Sequence, residues 1–236
     1  MSLKILTWNV EKVTPKSWKK APVILDRIDQ HKPEVVCLTE AHIDLLQGYV
    51  IASQPDFGLG EVGGQRKVVL WSSEPWRDIE ETGDDSMPPG RFVRGVTQTS
   101  LGEVTVIGVC IPWADALKHA GYQKWRAHEE YLDRLAEVLR YAPTERVVVM
   151  GDFNQRMRKG STAPLHLQSA LRDAFPPGMT IATGAVGFRG RRTIDHIALS
   201  DDLVVESIDV VSNINVGGTR LSDHFGIAAE VTARSS

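Results

Sequence analysis

A chain of 236 residues, 42% hydrophobic and 24% charged, carries enough apolar material to build the core of a soluble globular fold. Its net charge of -3 excludes a global basic field of the kind that advertises nucleic-acid binding, so only a local patch or a metal can meet a polyanion. Cys37 and Cys110 each sit in an apolar run and read as reduced core thiols. The start, LKILTWNV, shows no basic-then-apolar leader, and no apolar run reaches spanning length, so the expectation is a cytoplasmic protein with no membrane span.

In chain order, apolar and β-branched runs predict strands over Leu3–Thr7, Val35–Thr39, Lys67–Trp71, Val93–Thr99, Val104–Ile111 and Val147–Met150. Thr193–Leu199, Val204–Val211 and Gly226–Val231 complete the set. Helices are expected over Trp18–His31 and over Tyr122–Tyr141, where Tyr131, Leu132, Leu135, Val138 and Leu139 form a stripe. The stretches 58–66, 82–91, 160–164 and 184–192 read as loops, and no internal repeat is evident. Many strands with few, widely separated helices argue for α+β layers in one domain over 1–236.

Polar residues gather at the ends of these runs. VVVMGDFN drives four apolar residues into Asp152 and Asn154; in an extended chain these two share a face while Phe153 points to the core. Gly151 would let backbone approach closely there. LTWNVEK places Asn9 past a strand, VVCLTEAH places Glu40, RRTIDHIAL places Asp195, and TRLSDHFGI places Ser222, Asp223 and His224. Each alone has an ordinary reading: a turn, a helix cap, a pair between Asp195 and Arg191 or Arg192. His196, of opposite parity to Asp195, reads as a core histidine. Together, four acids at strand ends repel one another unless a cation sits among them, and a hard ion such as Mg²⁺ or Mn²⁺ fits.

The order TWNV, CLTE, GDFN, IDHI, SDH resembles the endonuclease/exonuclease/phosphatase superfamily, which includes DNase I-like nucleases, exonuclease III-like abasic-site endonucleases, and inositol-phosphate and sphingomyelin hydrolases. The resemblance runs from Asn9 to His224. It implies a four-layer α/β sandwich, with two packed, mostly antiparallel central sheets flanked by helices. It also implies roles. Glu40 is similar to the main metal ligand, supported by Asn9, and Asp223 to a second ligand or an orienter. Asp152 resembles the acid that orients or deprotonates the attacking water, and Asn154 the amide that contacts the phosphate. Asp195 and His224 look like the pair in which a carboxylate fixes an imidazole facing the scissile phosphate.

Three positions depart from that pattern. Cys110 stands where His or Tyr is usual, and a thiol is a weak donor; Trp113, Lys118 or His119 could supply the contact. Arg192 stands where abasic-site enzymes usually have Trp, which argues against an abasic-nucleotide pocket. Phe225 and Gly226 follow SDH where a residue and then Pro are common. The resemblance therefore implies a Mg²⁺- or Mn²⁺-dependent phosphodiesterase or nuclease, expected as a monomer, with DNA or RNA among its substrates. Arg91, Arg94, Arg156, Arg158, Lys159, Arg189, Arg191 and Arg192, with Trp113, are the residues available to meet a substrate. A phosphatase acting on a sugar, inositol or lipid head group is the alternative, and a non-catalytic binder of the same fold is the third reading, motivated by Cys110.

Overall fold

The computed structural model describes residues 1–55, 63–157 and 160–234. In chain order the strands are β1 (Ser2–Asn9), β2 (Val35–His42), β3 (Tyr49–Ala52), β4 (Gln65–Ser72), β5 (Trp76–Glu80), β6 (Phe92–Thr99) and β7 (Gly102–Cys110). They continue with β8 (Val147–Asp152), β9 (Met179–Ile181), β10 (Gly187–Phe188), β11 (Arg191–Arg192), β12 (Asp195–Ser200), β13 (Leu203–Val211) and β14 (Gly226–Ala233). The α-helices are α1 (Ala21–His31), α2 (Arg126–Arg140) and α3 (Leu165–Asp173).

Two six-stranded sheets result, ordered β13-β14-β1-β2-β4-β3 and β5-β6-β7-β8-β12-β9, with β10 and β11 as a separate ribbon. Each sheet holds one parallel pair, β1 with β2 and β7 with β8; its other pairs are antiparallel. A parallel pair needs a crossover, and α1 and α2 supply the two. The order β13-β14-β1-α1-β2-β4-β3 is thus matched by β5-β6-β7-α2-β8-β12-β9. The repeat lies in topology, not in residues.

Side-chain alternation sorts the apolar residues into three clusters. Leu3, Ile5, Val35, Cys37, Val68 and Leu70 face Val104, Val106, Cys110, Val148, Met150 and Ile197 between the sheets. The opposite parity, Leu6, Trp8, Val36 and Leu38, packs under Ala21, Ile24 and Ile28 of α1. Ile107, Val109, Val147 and Val149 pack under Tyr131, Leu132 and Leu135 of α2 and Leu171 of α3. Burial of all three faces supplies most of the driving force, and the layers read helix, sheet, sheet, helix. This is the α+β sandwich expected from the motifs.

Several boundaries differ from the sequence reading. The first helix begins at Ala21, because Pro22 favours the first turn, and Trp18 is exposed. The second begins at Arg126, after Trp125 at a left-handed φ of 70°. The strand expected from Thr193 begins at Asp195, since the Thr193 hydroxyl closes a local turn on Asp195 N–H and C=O. Helix α3 and edge strands β3, β5 and β9 add to the expected set. Gly151 has φ 140°, and a Cβ there would lie 2.0 Å from the Val109 carbonyl oxygen. The close approach expected of this glycine is where β8 runs beside β7.

Candidate active site

The tips of β1, β8 and β12 converge with the loop before β14. Asn9 ends β1, Asp152 ends β8, and Asp195 opens β12 directly opposite Asp152 in the antiparallel register. The Asn9 amide Nδ2 donates to Asp152 Oδ2 at 3.0 Å, joining the two sheets. Ser222 Oγ donates to the Asn9 carbonyl at 2.6 Å and accepts from the His224 N–H at 3.1 Å. Trp8 Nε1 holds the His224 carbonyl at 2.9 Å. These bonds fix the imidazole, whose Nδ1 lies 2.6 Å from Asp195 Oδ2. Asp152, Asp195 and His224 bring one ligand atom each to within 4.8 Å of one another.

Asn154 reaches the site by a different route from the extended one expected. The strand stops at Asp152, and Asn154 adopts a left-handed φ of 52°. Its N–H donates to Asp152 Oδ1 at 2.8 Å, and its side-chain Nδ2 donates to the Ile111 carbonyl at 2.9 Å. Phe153 is fully buried, as its parity requires. Glu40 is also left-handed, at φ 49°, where the β2–β4 register skips it between Thr39 and Ala41. Non-glycine residues in that region concentrate at functional sites. Glu40 Oε1 is ion-paired with Lys67 Nζ at 3.1 Å. That lysine, heading the apolar KVVL run, was the available signal, and the sequence reading gave it no role.

Charge in the site is strongly coupled. Burial pulls His224 down, but the Asp195 and Asp152 carboxylates outweigh it and push the imidazole up to about 10. Burial raises Asp152 above the ordinary carboxylate range, to about 7, partly offset by His224 and by the bonds from Asn9 and Asn154. The neighbouring carboxylates thus favour the protonated imidazole. Asp195 Oδ1 is buried with no hydrogen-bond partner among the described residues. Asp223 is half exposed, its Oδ1 3.9 Å from His224 Nε2.

Behind the site, two neutral histidines brace the segment after Asn154. The Pro112 carbonyl can only accept, so His128 Nδ1 donates to it at 2.7 Å and Nε2 accepts from Gln155 Nε2 at 3.0 Å. His196 Nε2 donates to the Gln155 carbonyl at 3.0 Å, and its Nδ1 accepts from the Thr183 hydroxyl at 3.1 Å. Burial holds both rings near pKa 4. His196 is a satisfied core histidine; His128 and Gln155 are supports the sequence reading did not single out.

A cleft of about 80 Å³ opens beside Asp195, Asp223 and His224, lined also by Arg156, Arg191 and Arg192. Arg192 also donates to the Ala185 carbonyl. Arg94 is not brought there: it lies within β6, 3.9 Å from Glu80. Trp113 is half exposed, two residues past Ile111, whose carbonyl anchors Asn154. Lys118 and His119 form an exposed turn. Arg158 and Lys159 lie outside the described residues.

An Asp–His pair thus stands beside a second buried carboxylate at the tips of two packed mixed sheets in an α+β sandwich. The profile of the Endonuclease/Exonuclease/phosphatase family matches residues 6–224, and the chain belongs to that family, whose members hydrolyse phosphoester bonds. Solved structures share the fold at low identity. The 3′ phosphatase NExo from Neisseria, bound to a product DNA hairpin, is 18% identical at TM-score 0.72, covering 99% of this chain and 100% of that one. A humanized TDP2 from D. rerio is 15% identical at TM-score 0.70, covering 98% and 99%. An endonuclease/exonuclease/phosphatase from Beutenbergia cavernae is 17% identical at TM-score 0.66, covering 98% and 72%. Comparison with curated proteins gave no match. Among the described residues, no helix is long and apolar enough to cross a membrane.

Proposed function

We propose that the chain is a divalent-metal-dependent phosphodiesterase that cleaves polynucleotides. The observation that carries this reading is the His224–Asp195 pair at 2.6 Å, set beside Asp152 and opening on an arginine-lined cleft. Asp152, raised towards neutrality by burial, is suited to take a proton from an attacking water. Asn9 orients that carboxylate, and Asn154 is tied to it through its backbone. His224, kept protonated by Asp195, stabilises charge on the phosphate oxygens and is the proton source for the departing oxygen. Water adds its oxygen to phosphorus, and the P–O bond to the leaving group breaks.

The residues fit Mg²⁺ or Mn²⁺ through hard oxygen donors, with Glu40 and Asn9 as holders. The partnerless Asp195 Oδ1 marks a further oxygen in want of a cation or a donor. Asp195 engages His224 Nδ1, so the ring is assigned to phosphate through Nε2. Asp223 acts as an orienter of His224 Nε2 rather than as a ligand. Such an ion, when bound, supplies Lewis-acid polarisation of a phosphoryl oxygen and a more acidic water.

Arg156, Arg191 and Arg192 favour a substrate with phosphates flanking the scissile one, and exposed Trp113 offers a face on which a base can stack. The small volume of the cleft favours a second reading, a phosphatase acting on a compact monoester. Comparing DNA and RNA cleavage with phosphate release from small monoesters, against an Asp152→Ala control, separates the two. The nuclease reading expects cleavage of polymer that falls at least roughly tenfold between about 50 and 200 mM salt. Salt-insensitive release of phosphate from monoesters, with polymer intact, would instead establish the phosphatase.

A further inference from the structure

Arg91 is a buried arginine without an acid. It sits just before β6, where its carbonyl accepts from the Cys110 N–H at 3.0 Å and from the Tyr131 hydroxyl at 2.8 Å. The residue is only 4% exposed. Guanidinium groups this deep are normally paired with a carboxylate. Here Nη1 donates to the Cys110 carbonyl at 3.2 Å and lies 3.8 Å from Cys110 Sγ, and no acid is within ion-pair distance among the described residues. A guanidinium has five N–H donors in a fixed fork, so most of this one is uncommitted.

Its place in the fold says where those donors are wanted. Cys110 is the last residue of β7 and is registered against Asp152 across the parallel β7–β8 pair. Cys110 and Met150 belong to the cluster between the sheets, and Asp152 has the parity of Met150. The Cys110 thiol and the Asp152 carboxylate therefore stand side by side on one face. The thiol is short, buried and neutral, pushed up to about 12 by burial despite the counteracting charge of Arg91. It contributes almost no hydrogen bonding.

We propose that Arg91 is a catalytic residue that reaches past Cys110 and binds a non-bridging oxygen of the scissile phosphate, supplying the donor that a thiol at position 110 cannot. This rests on the phosphoesterase reading above. A planar fork suits two phosphate oxygens, and a cation fixed before the reaction costs no reorganisation. Bonds from the Tyr131 hydroxyl and the Cys110 N–H to the Arg91 carbonyl hold its backbone in place.

The test begins with turnover of bis-p-nitrophenyl phosphate by the wild type; its absence with every metal defeats the phosphoesterase reading itself, before any Arg91 variant is made. With wild-type turnover in hand, Arg91→Met is expected to lower kcat roughly 100-fold while the Tm stays close to wild type. Adding Cys110→His to Arg91→Met is expected to recover roughly tenfold, because an imidazole N–H then stands beside Asp152. A purely structural arginine would give a lower Tm and no such rescue. Should Arg91→Met fail to fold, Arg91→Lys keeps the stem and charge but loses the fork, and is expected to lower kcat at unchanged Tm. A kcat within about twofold of wild type in whichever of these variants folds, or a loss that follows Tm without rescue by Cys110→His, overturns the proposal.

Discussion

Asp152→Ala is expected to lower kcat on bis-p-nitrophenyl phosphate by roughly 1,000-fold or more, since it removes the proposed base and the group that orients water together. Asp152→Asn is the sharper variant. It keeps the shape and an oxygen for the Asn154 N–H, but it turns an amide nitrogen towards the Asn9 donor and cannot take a proton. Stability should not fall in step. Burial raises Asp152, so the fold favours its protonated form. Its contribution is present below the ordinary carboxylate range and is lost as pH rises towards about 7. At about pH 8 the ionised, buried Asp152 is a cost that the Asn variant lacks, which offsets the lost bond from Asn9, so its Tm should stay close to that of the wild type. Loss of activity at a nearly unchanged Tm marks a residue retained for chemistry. Activity falling only in step with Tm would make Asp152 a structural acid.

Asp195→Asn is expected to carry the second large effect, a fall of roughly 100-fold or more in kcat with a shift in the protonation of His224. In the wild type the imidazole is pushed up to about 10, desolvation being outweighed by Asp195 and Asp152. A raised histidine stabilises the fold below its unfolded value, about 6.5, and that contribution disappears as pH rises through the folded one. Wild-type stability should therefore drop between about pH 6.5 and about pH 10, and this drop should shrink in the variant. Following the His224 ring by NMR gives a direct reading. A ring protonated above about pH 9 in the wild type and titrating well below that in Asp195→Asn is the expected pattern. The same midpoint in both proteins would mean that Asp195 does not hold the charge.

Much of this site was readable from the chain because strand tips carry their chemistry in short runs. VVVM suits a strand covered on both faces, and such a strand places Asp152 at its tip. TWNV, TIDHI and SDH follow the same logic, and topology then brings Asn9, Asp152, Asp195 and His224 together. What local pattern could not carry were the contacts made between distant segments. Lys67 reaches Glu40 because the β2–β4 register, Thr39 with Val68 and Ala41 with Arg66, sets the two opposite each other. Asn154 turns left-handed to meet the Ile111 carbonyl, so alternation gave the wrong path to the right neighbourhood. Helix α3 buries only Leu167 and Leu171, too little periodicity to stand out, and β5 is an exposed edge with no alternating pattern. Cys110 was legible as a departure, while Arg91 needed the β6–β7 register to be seen beside it.

Whether these strand tips form a metal-assisted phosphoesterase is decided by the initial rate of bis-p-nitrophenyl phosphate hydrolysis by the wild-type protein in Mg²⁺, in Mn²⁺ and in EDTA. The expected result is turnover with one or both ions and a return to background with the chelator, recovered when the ion is added back. Folded protein that hydrolyses no phosphodiester or phosphomonoester with either ion, or turns over equally well in EDTA, would contradict the metal-assisted phosphoesterase reading.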